Sequence, residues 1–308
     1  MNAACGFAKN IVSCKAHINS LQTYMVAETH SNDEPRKHLV EIECLNVDFG
    51  RQHVLRGIDL KIPRGQTLAI IGESGCGKTV LLKAIIGLIP PTVGEVLFDG
   101  KDLARLGERE LTSERIRFGF LFQGAALFDS MTIAQNISFP LRQHTKKPAG
   151  EIQRIISARL AEVGLPENVL GKKPGELSGG MRKRVGLARA LALEPEIILY
   201  DEPTTGLDPI MSDVINELIL GTRRQHPVTS IVVTHDMRTA QKVADRIVML
   251  YPLPRLAEGE PQIIFDGAPD RIERSPDKRV SQFVHGEAGE RLMEMRKQNG
   301  NYNVQNGA

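Results

Sequence analysis

The spacing of apolar residues along the chain changes period several times, and those changes mark its elements. From Leu39 the period is two: Leu45, Val47 and Phe49 fall on one face of an extended segment, Asn46 and Asp48 on the other. A turn at Phe49–Gln52 and a second strand around Val54–Ile62 follow, closed by the turn Pro63–Gln66. The run Leu68–Ile71 predicts a buried strand. Val80, Leu81, Lys83 and Ala84 predict a helix stopping at Gly87, ahead of Pro90 and Pro91. GEVLFDG (Gly94–Gly100) reads as a short strand, Glu108–Arg115 as a polar helix and Phe118–Phe122 as an apolar strand. Between Gly124 and Leu177 the period becomes helical, with helices expected at Thr132–Leu141 and Glu151–Val163. Ile152, Ile155, Ile156 and Leu160 share one face of the second. Residues about 124–178 therefore read as an inserted α-helical lobe.

Strands and helices alternate again from Ser178. A helix at Met181–Leu193 precedes the strand Ile197–Asp201, a helix after Pro209 precedes Ser230–Thr234, and a helix from Met237 precedes Ile247–Leu250. That alternation predicts an α/β fold with a mostly parallel sheet covered on both faces. Residues 1–38 mix Asn, Ser, Lys and His without a period and read as a flexible N-terminal extension. They lack the apolar core of a signal peptide, and Met25 is an alternative start. The main domain is expected over 39–286, and residues 287–308, ending QNGNYNVQNGA, are expected to be disordered.

Composition adds exclusions. The 308 residues are 41% hydrophobic and carry 39 Lys and Arg against 37 Asp and Glu, so the net charge of +2 offers no nucleic-acid surface. No run approaches the roughly 18 apolar residues of a membrane span, so any membrane role is expected to pass through a partner. Cys5, Cys14, Cys44 and Cys76 show no CxxC spacing, which fits a reducing compartment rather than a disulfide framework or a zinc site.

The candidate chemistry centres on LAIIGESGCGKTVLL (Leu68–Leu82), where Gly72, Gly77, Lys78 and Thr79 match the P-loop pattern at a strand-to-helix turn. Backbone N–H groups of Gly72, Glu73, Ser74, Gly75, Cys76 and Gly77 form a nest at a helix N-terminus, which favours polyphosphate. Lys78 adds charge at the β- and γ-phosphates, and the Thr79 hydroxyl suits Mg²⁺. A Cys76 thiol beside bound phosphate is expected to react with maleimide and to be protected by Mg-ATP.

ILYDE (Ile198–Glu202) is an apolar run ending in two acids, as on a doubly covered strand. Ligands of open α/β sheets sit beyond the strands' C-terminal ends, so Asp201 and Glu202 should lie near the P-loop. Asp201 is then the Mg²⁺ partner and Glu202 the base that orients water. LSGGM (Leu177–Met181) fits a helix capped by Ser178, whose Gly179 and Gly180 leave backbone N–H groups open to a second anion contact. Arg182, Lys183 and Arg184 read as a solvated face of that helix.

Together the P-loop, Gln123 after a strand, LSGGM, LYDEP, GLDP (Gly206–Pro209) and Thr234-His235-Asp236 resemble, in order, the ATP-binding-cassette (ABC) ATPases over about 39–267. The resemblance implies a mostly parallel core sheet with an antiparallel β subdomain and an inserted helical subdomain. It also implies a head-to-tail homodimer sandwiching ATP and Mg²⁺ between the P-loop of one copy and Ser178 and Gly180 of the other. In that scheme Phe49 stacks on adenine, although its place beside Leu45 and Val47 equally suits the core. Gln123 touches metal and water, Asp208 lines the dimer seam and His235 contacts the γ-phosphate.

LFQGAALFDSMTIAQNISFPLRQHT (Leu121–Thr145), the LSGGM-to-LDPI stretch and SPDKRVSQFVHG (Ser275–Gly286) resemble the ATPases of mammalian-cell-entry (MCE) lipid transporters. This implies a peripheral subunit on the cytoplasmic face of the inner membrane, bound to a permease that works with an MCE-domain protein on phospholipid. A non-transport ABC ATPase, or one serving lipoprotein release or small solutes, is the alternative. YPLPRLAEGEPQ (Tyr251–Gln262) departs from the family by being longer than the tight hairpin there.

Overall fold

A computed structural model of the chain describes residues 37–289. The expected N-terminal extension, Met25, Cys5, Cys14 and all but the first few residues of the C-terminal tail lie outside the described residues.

Strands β1 (His38–Phe49), β2 (Gln52–Pro63), β4 (Val93–Phe98) and β5 (Lys101–Asp102) form an antiparallel sheet in the order β2-β1-β4-β5. The second sheet holds β3 (Thr67–Gly72), β6 (Phe118–Leu121), β7 (Ile197–Asp201), β8 (Thr229–Val233), β9 (Arg246–Leu250) and β10 (Ile263–Gly267). Its order is β10-β9-β3-β8-β7-β6, and every pair is parallel except the β9–β10 edge. Helices α1 (Lys78–Ile85), α2 (Glu108–Arg115), α3 (Ile133–His144), α4 (Ala149–Glu162), α5 (Gly179–Leu191), α6 (Pro209–Gln225), α7 (Met237–Val243) and α8 (Lys278–His285) complete the described fold.

The central strands are buried on both faces, which is why they read as continuous apolar runs. Ile197 and Leu199 of β7 point into a core shared with the antiparallel sheet and α1. Ile198 and Tyr200, one residue out of step, enter a second core under α3–α6. In β3, Leu68 and Ile70 join the first core, while Ala69 and Ile71 pack with Ala240, Ile247 and Val280. The side-chain period of two thus fastens one strand to two layers of helices.

Arg64 and Arg117 tie the two sheets together at their rim. Arg117 bonds Asp99 at 2.8 Å and Glu196 at 2.6 Å, and Arg64 reaches the same two carboxylates at 2.5 and 3.0 Å. The hydrogen bond from Arg117 holds the Glu196 carboxyl below the usual carboxylate range. Among the described residues, no helix is long and apolar enough to cross a membrane.

Candidate nucleotide site

The strand order assembles the site, because β3, β8 and β7 lie side by side and all three end at one rim. From β3 the chain enters the Gly72–Thr79 loop and then α1. Gly72 has φ +143°, and a Cβ there would stand 2.3 Å from the Leu250 carbonyl, so only glycine fits. Lys78 is 8% exposed, and its ammonium donates to the Gly72 and Glu73 carbonyls at 2.7 and 3.0 Å. The loop is curled around its own cation.

From β7, Asp201 faces the start of α1, and Thr79 Oγ1 donates to Asp201 Oδ1 at 3.3 Å. Burial pushes the Asp201 carboxyl above its ordinary value, while the Thr79 hydrogen bond opposes the shift and the Glu202 charge adds to it. A hydroxyl and a buried, undercompensated carboxylate at one point are donors that suit a hard cation such as Mg²⁺. No cluster of three His, Cys, Asp or Glu side chains could hold a metal among the described residues. The pair Thr79 and Asp201 leaves the remaining coordination to phosphate and water, as Mg²⁺ prefers.

Glu202 follows in a left-handed conformation, φ +50°, its N–H fixed to the Val233 carbonyl of β8 at 2.9 Å. Its carboxylate meets His235 Nδ1 at 2.8 Å and accepts a hydrogen bond from the Thr205 hydroxyl at 2.9 Å. His235 lies beyond the end of β8 with its side chain largely exposed. Gln123 follows β6 and is exposed. Its side chain makes no hydrogen bond among the described residues, so Gln123 does not join Thr79 and Asp201 here.

Ser178 caps α5 by accepting from the Met181 N–H at 3.3 Å. Gly179 is half-buried and Gly180 buried, with the end of Met211 2.8 Å from where a Gly180 Cβ would sit. A Cβ there would displace only the flexible end of Met211, so packing adds little to the demand for glycine made by the open N–H groups. Asp208 caps α6 by accepting from the Ile210 and Met211 N–H groups, and Ile210 beside it is 77% exposed.

Two residues sit differently from the pattern of the sequence. Phe49 is 49% exposed whereas Leu45 and Val47 are buried. Phe49 is the last residue of β1, paired with Gln52 at the exposed turn into β2, which leaves it at the edge of the core and corrects the core reading. Cys76 is 1% exposed, and burial pushes its thiol up. The expected maleimide reaction is therefore corrected: Cys76 should label slowly with or without nucleotide, until the chain unfolds. Peptide mass spectrometry after brief labelling in native buffer and in denaturant measures this, and fast native modification of Cys76 would contradict it.

The basic triplet of α5 is also corrected, since it is no solvated face. Arg182 donates to the Leu177 carbonyl at 2.7 Å and Arg184 to that of Gly164 at 3.0 Å. Lys183 is 5% exposed and donates to the Glu202 carbonyl at 3.0 Å. Sequence reasoning missed Lys183, although its spacing from buried Gly180 and Leu187 puts it on the inner face of α5. Lys183→Met should lower kcat about 10- to 100-fold, through a shifted Glu202, with ATP affinity held within about threefold. Lys183→Arg should recover part of the loss.

Burial also pushes the Lys183 ammonium down to about 8 from the ordinary 10.5. Between those values the unfolded chain binds a proton that the folded chain has released, so stability gains from this residue as pH rises. Denaturant melts of Lys183→Met across that window should lack the gain.

A groove of about 300 Å³ opens beside Gln123, lined by Phe118, Phe120, Phe122, Phe128, Phe139 and Arg189. Phe120 stacks on Phe122 at 4.1 Å and Phe128 tilts on Phe139 at 4.8 Å.

Comparison with known proteins identifies the family. The family model described as ABC transporter matches residues 55–205. The intermembrane phospholipid transport system ATP-binding protein MlaF of Haemophilus influenzae is 40% identical over 252 residues, covering 82% of this chain and 92% of that one. A Mycobacterium tuberculosis protein named probable ribonucleotide transport ATP-binding protein mkl is 41% identical over 247 residues, or 80% of this chain. This chain spans only 66% of the length of that relative. Among solved structures, the dimeric post-hydrolysis ATP-binding cassette MJ0796 bound to ADP and Pi superposes with TM-score 0.66 at 32% identity, over 75% of this chain and 98% of that one. With the P-loop, the acidic strand end and the Ser178-capped helix in one fold, the chain belongs to the ABC transporter family of ATP-binding proteins.

Proposed function

We propose that this chain is the ATP-hydrolysing subunit of a membrane transporter that moves phospholipid between membranes. The observation that carries the chemistry is the meeting of Thr79 with Asp201, with Glu202 held beside them by His235 and Thr205. The observation that favours the cargo is 40% identity across nearly the whole of a phospholipid transport ATP-binding protein.

In this mechanism the loop from Gly72 to Gly77 receives the phosphates on its N–H groups, and Lys78 turns its ammonium from the loop carbonyls toward the β- and γ-phosphates. Thr79 and Asp201 would hold Mg²⁺, with Gln123 turned in from its exposed position, and the ion would supply neutralising charge to the phosphates. Glu202 orients the attacking water, and the His235 ring nitrogen that Glu202 leaves free meets the γ-phosphate. Phe49 offers its exposed ring to adenine. Catalysis is positioning with charge stabilisation, since phosphoryl transfer asks little covalent help of the protein.

Two copies are proposed to meet head to tail. Ser178, Gly179 and Gly180 of one copy then close on the ATP of the other, with Asp208 and the exposed Ile210 at the seam. Ser178→Cys and Gly75→Cys in separate copies should crosslink only when ATP is present. The groove beside Gln123 receives a helix of an integral-membrane permease, its aromatic lining taking the apolar face of that helix. The chain then sits on the cytoplasmic face of the inner membrane, and the permease works with an MCE-domain protein.

Purification from membranes with lipid analysis tests the assignment. A multi-span permease, an MCE-domain protein and bound phospholipid are expected. A soluble complex without permease would overturn transport in favour of an assembly ATPase. A second cargo, ribonucleotide, is favoured by the name of the mycobacterial relative. ATPase stimulation by ribonucleotides but not by phospholipid would select it.

A further inference from the structure

Tyr251–Gln262, the stretch longer than the family's hairpin, folds back onto the phosphate loop. Its base is closed by the Tyr251 N–H donating to the Gln262 carbonyl at 2.9 Å. Near its middle, Arg255 pairs with Glu73 of the loop at 2.6 Å and lies over the Tyr251 ring at 4.9 Å. At its end Gln262, 1% exposed, spends its whole amide on two other segments. Nε2 donates to the Cys76 carbonyl at 3.0 Å and to the Val54 carbonyl at 3.1 Å, and Oε1 accepts the Arg56 N–H at 2.9 Å.

The Cys76 carbonyl matters because of where it stands. Gly77 caps α1, and its carbonyl accepts the first helical bond, from Leu81, at 2.8 Å. The Cys76 carbonyl lies one residue too early for a helical partner, and a buried carbonyl needs one. Carbonyl and N–H of a trans peptide point in opposite directions across one plane. The bond from Gln262 to Cys76 therefore turns the Gly77 N–H the other way, into the concave side of the loop where phosphate would bind. Gly77, at φ +100°, has no side chain of its own to hold that plane.

We propose that Gln262 is a positioning residue for nucleotide binding: its carboxamide, carried by the Tyr251–Gln262 segment, fixes the Cys76–Gly77 peptide so that the Gly77 N–H is aimed at phosphate. This rests on the phosphate-binding reading of the Gly72–Thr79 loop. Gln262→Met keeps the volume and removes every bond, Gln262→Glu sets a carboxylate against two carbonyls, and Gln262→Lys restores donation to Cys76 while giving up the acceptor for Arg56.

The test is ATP titration of the full chain by calorimetry at 15 °C, with thermal melts for each variant and Lys78→Ala as reference. Gln262→Met and Gln262→Glu should weaken ATP binding about tenfold or more, the size of one hydrogen bond to a charged group, whereas Gln262→Lys should stay within about threefold of the parent. A merely structural glutamine would let affinity follow the melting temperature, with no recovery by lysine. Full ATP affinity in folded Gln262→Met, or equal loss in all three variants, overturns the inference. Should Lys78→Ala also bind ATP unchanged, the phosphate reading of the loop falls with it. A loss in Lys78→Ala alone removes only the role of Gln262. If Gln262→Met and Gln262→Glu do not fold, hydrogen exchange of the Gly77 amide in Gln262→Lys with and without Mg-ATP decides: protection by nucleotide equal to the parent's supports the inference, and its loss overturns it.

Discussion

Glu202→Gln should bind ATP as tightly as the parent chain and turn it over about 10³-fold more slowly, the middle of the range a positioned base contributes. The side chain is nearly isosteric, and the surroundings of Glu202 explain why geometry survives. Its backbone is held from two sides, by the Val233 carbonyl and by the Lys183 ammonium on its own carbonyl. An amide oxygen at the same place can still accept from Thr205 and meet His235, so the left-handed turn at φ +50° keeps its supports. What disappears is the anionic charge that polarises water. With the γ-phosphate retained, the head-to-tail dimer should persist, and size-exclusion chromatography with ATP should show twice the parent mass. Turnover near the parent rate would remove Glu202 from the role of base.

Lys78→Ala carries the second large effect, this time on binding. Charged hydrogen bonds contribute about 1.5–3 kcal/mol each, so losing one ammonium that spans two phosphates should raise the ATP dissociation constant by about 10- to 100-fold or more. The fold should lose less. Lys78 spends its ammonium on the Gly72 and Glu73 carbonyls, and a small side chain admits water to them in its place. Calorimetry gives the affinity and a thermal melt the stability. Unchanged affinity would show that this glycine-rich turn is not the phosphate site.

Most of the fold was legible because its signals are local. The polar helix at Glu108–Arg115 is found over those residues, and β7 over Ile197–Asp201, since helix period and doubly buried strand both act within a few residues. The helix expected from Thr132 begins one residue later, because Thr132 and Gln135 form a capping box that leaves Thr132 as the cap. Phe49 stayed open between ring stacking and core for the same local reason: its alternation with Leu45 and Val47 is real, but it ends the strand at an exposed turn. Thr79 and Asp201 could be proposed as neighbours from motif spacing alone, and the fold brings them together. Lys183 and Gln262 could not, because their meaning lies in what they reach. Gln262 and Cys76 are 186 residues apart, and no window along the sequence contains both.

The position of β8 between β3 and β7 sets a timetable for synthesis. The glycine loop leaves the ribosome early, yet both neighbours of its strand, β8 and β9, are translated in the last third of the chain. Until about Val233 has emerged, β3 has two open edges and Glu202 has no anchor on β8. A nascent chain therefore carries the loop residues long before it can grip a nucleotide. Exposed edges over that interval are a hazard for aggregation, so ribosome-bound chains ending before β8 should be the stage at which this protein most depends on chaperones.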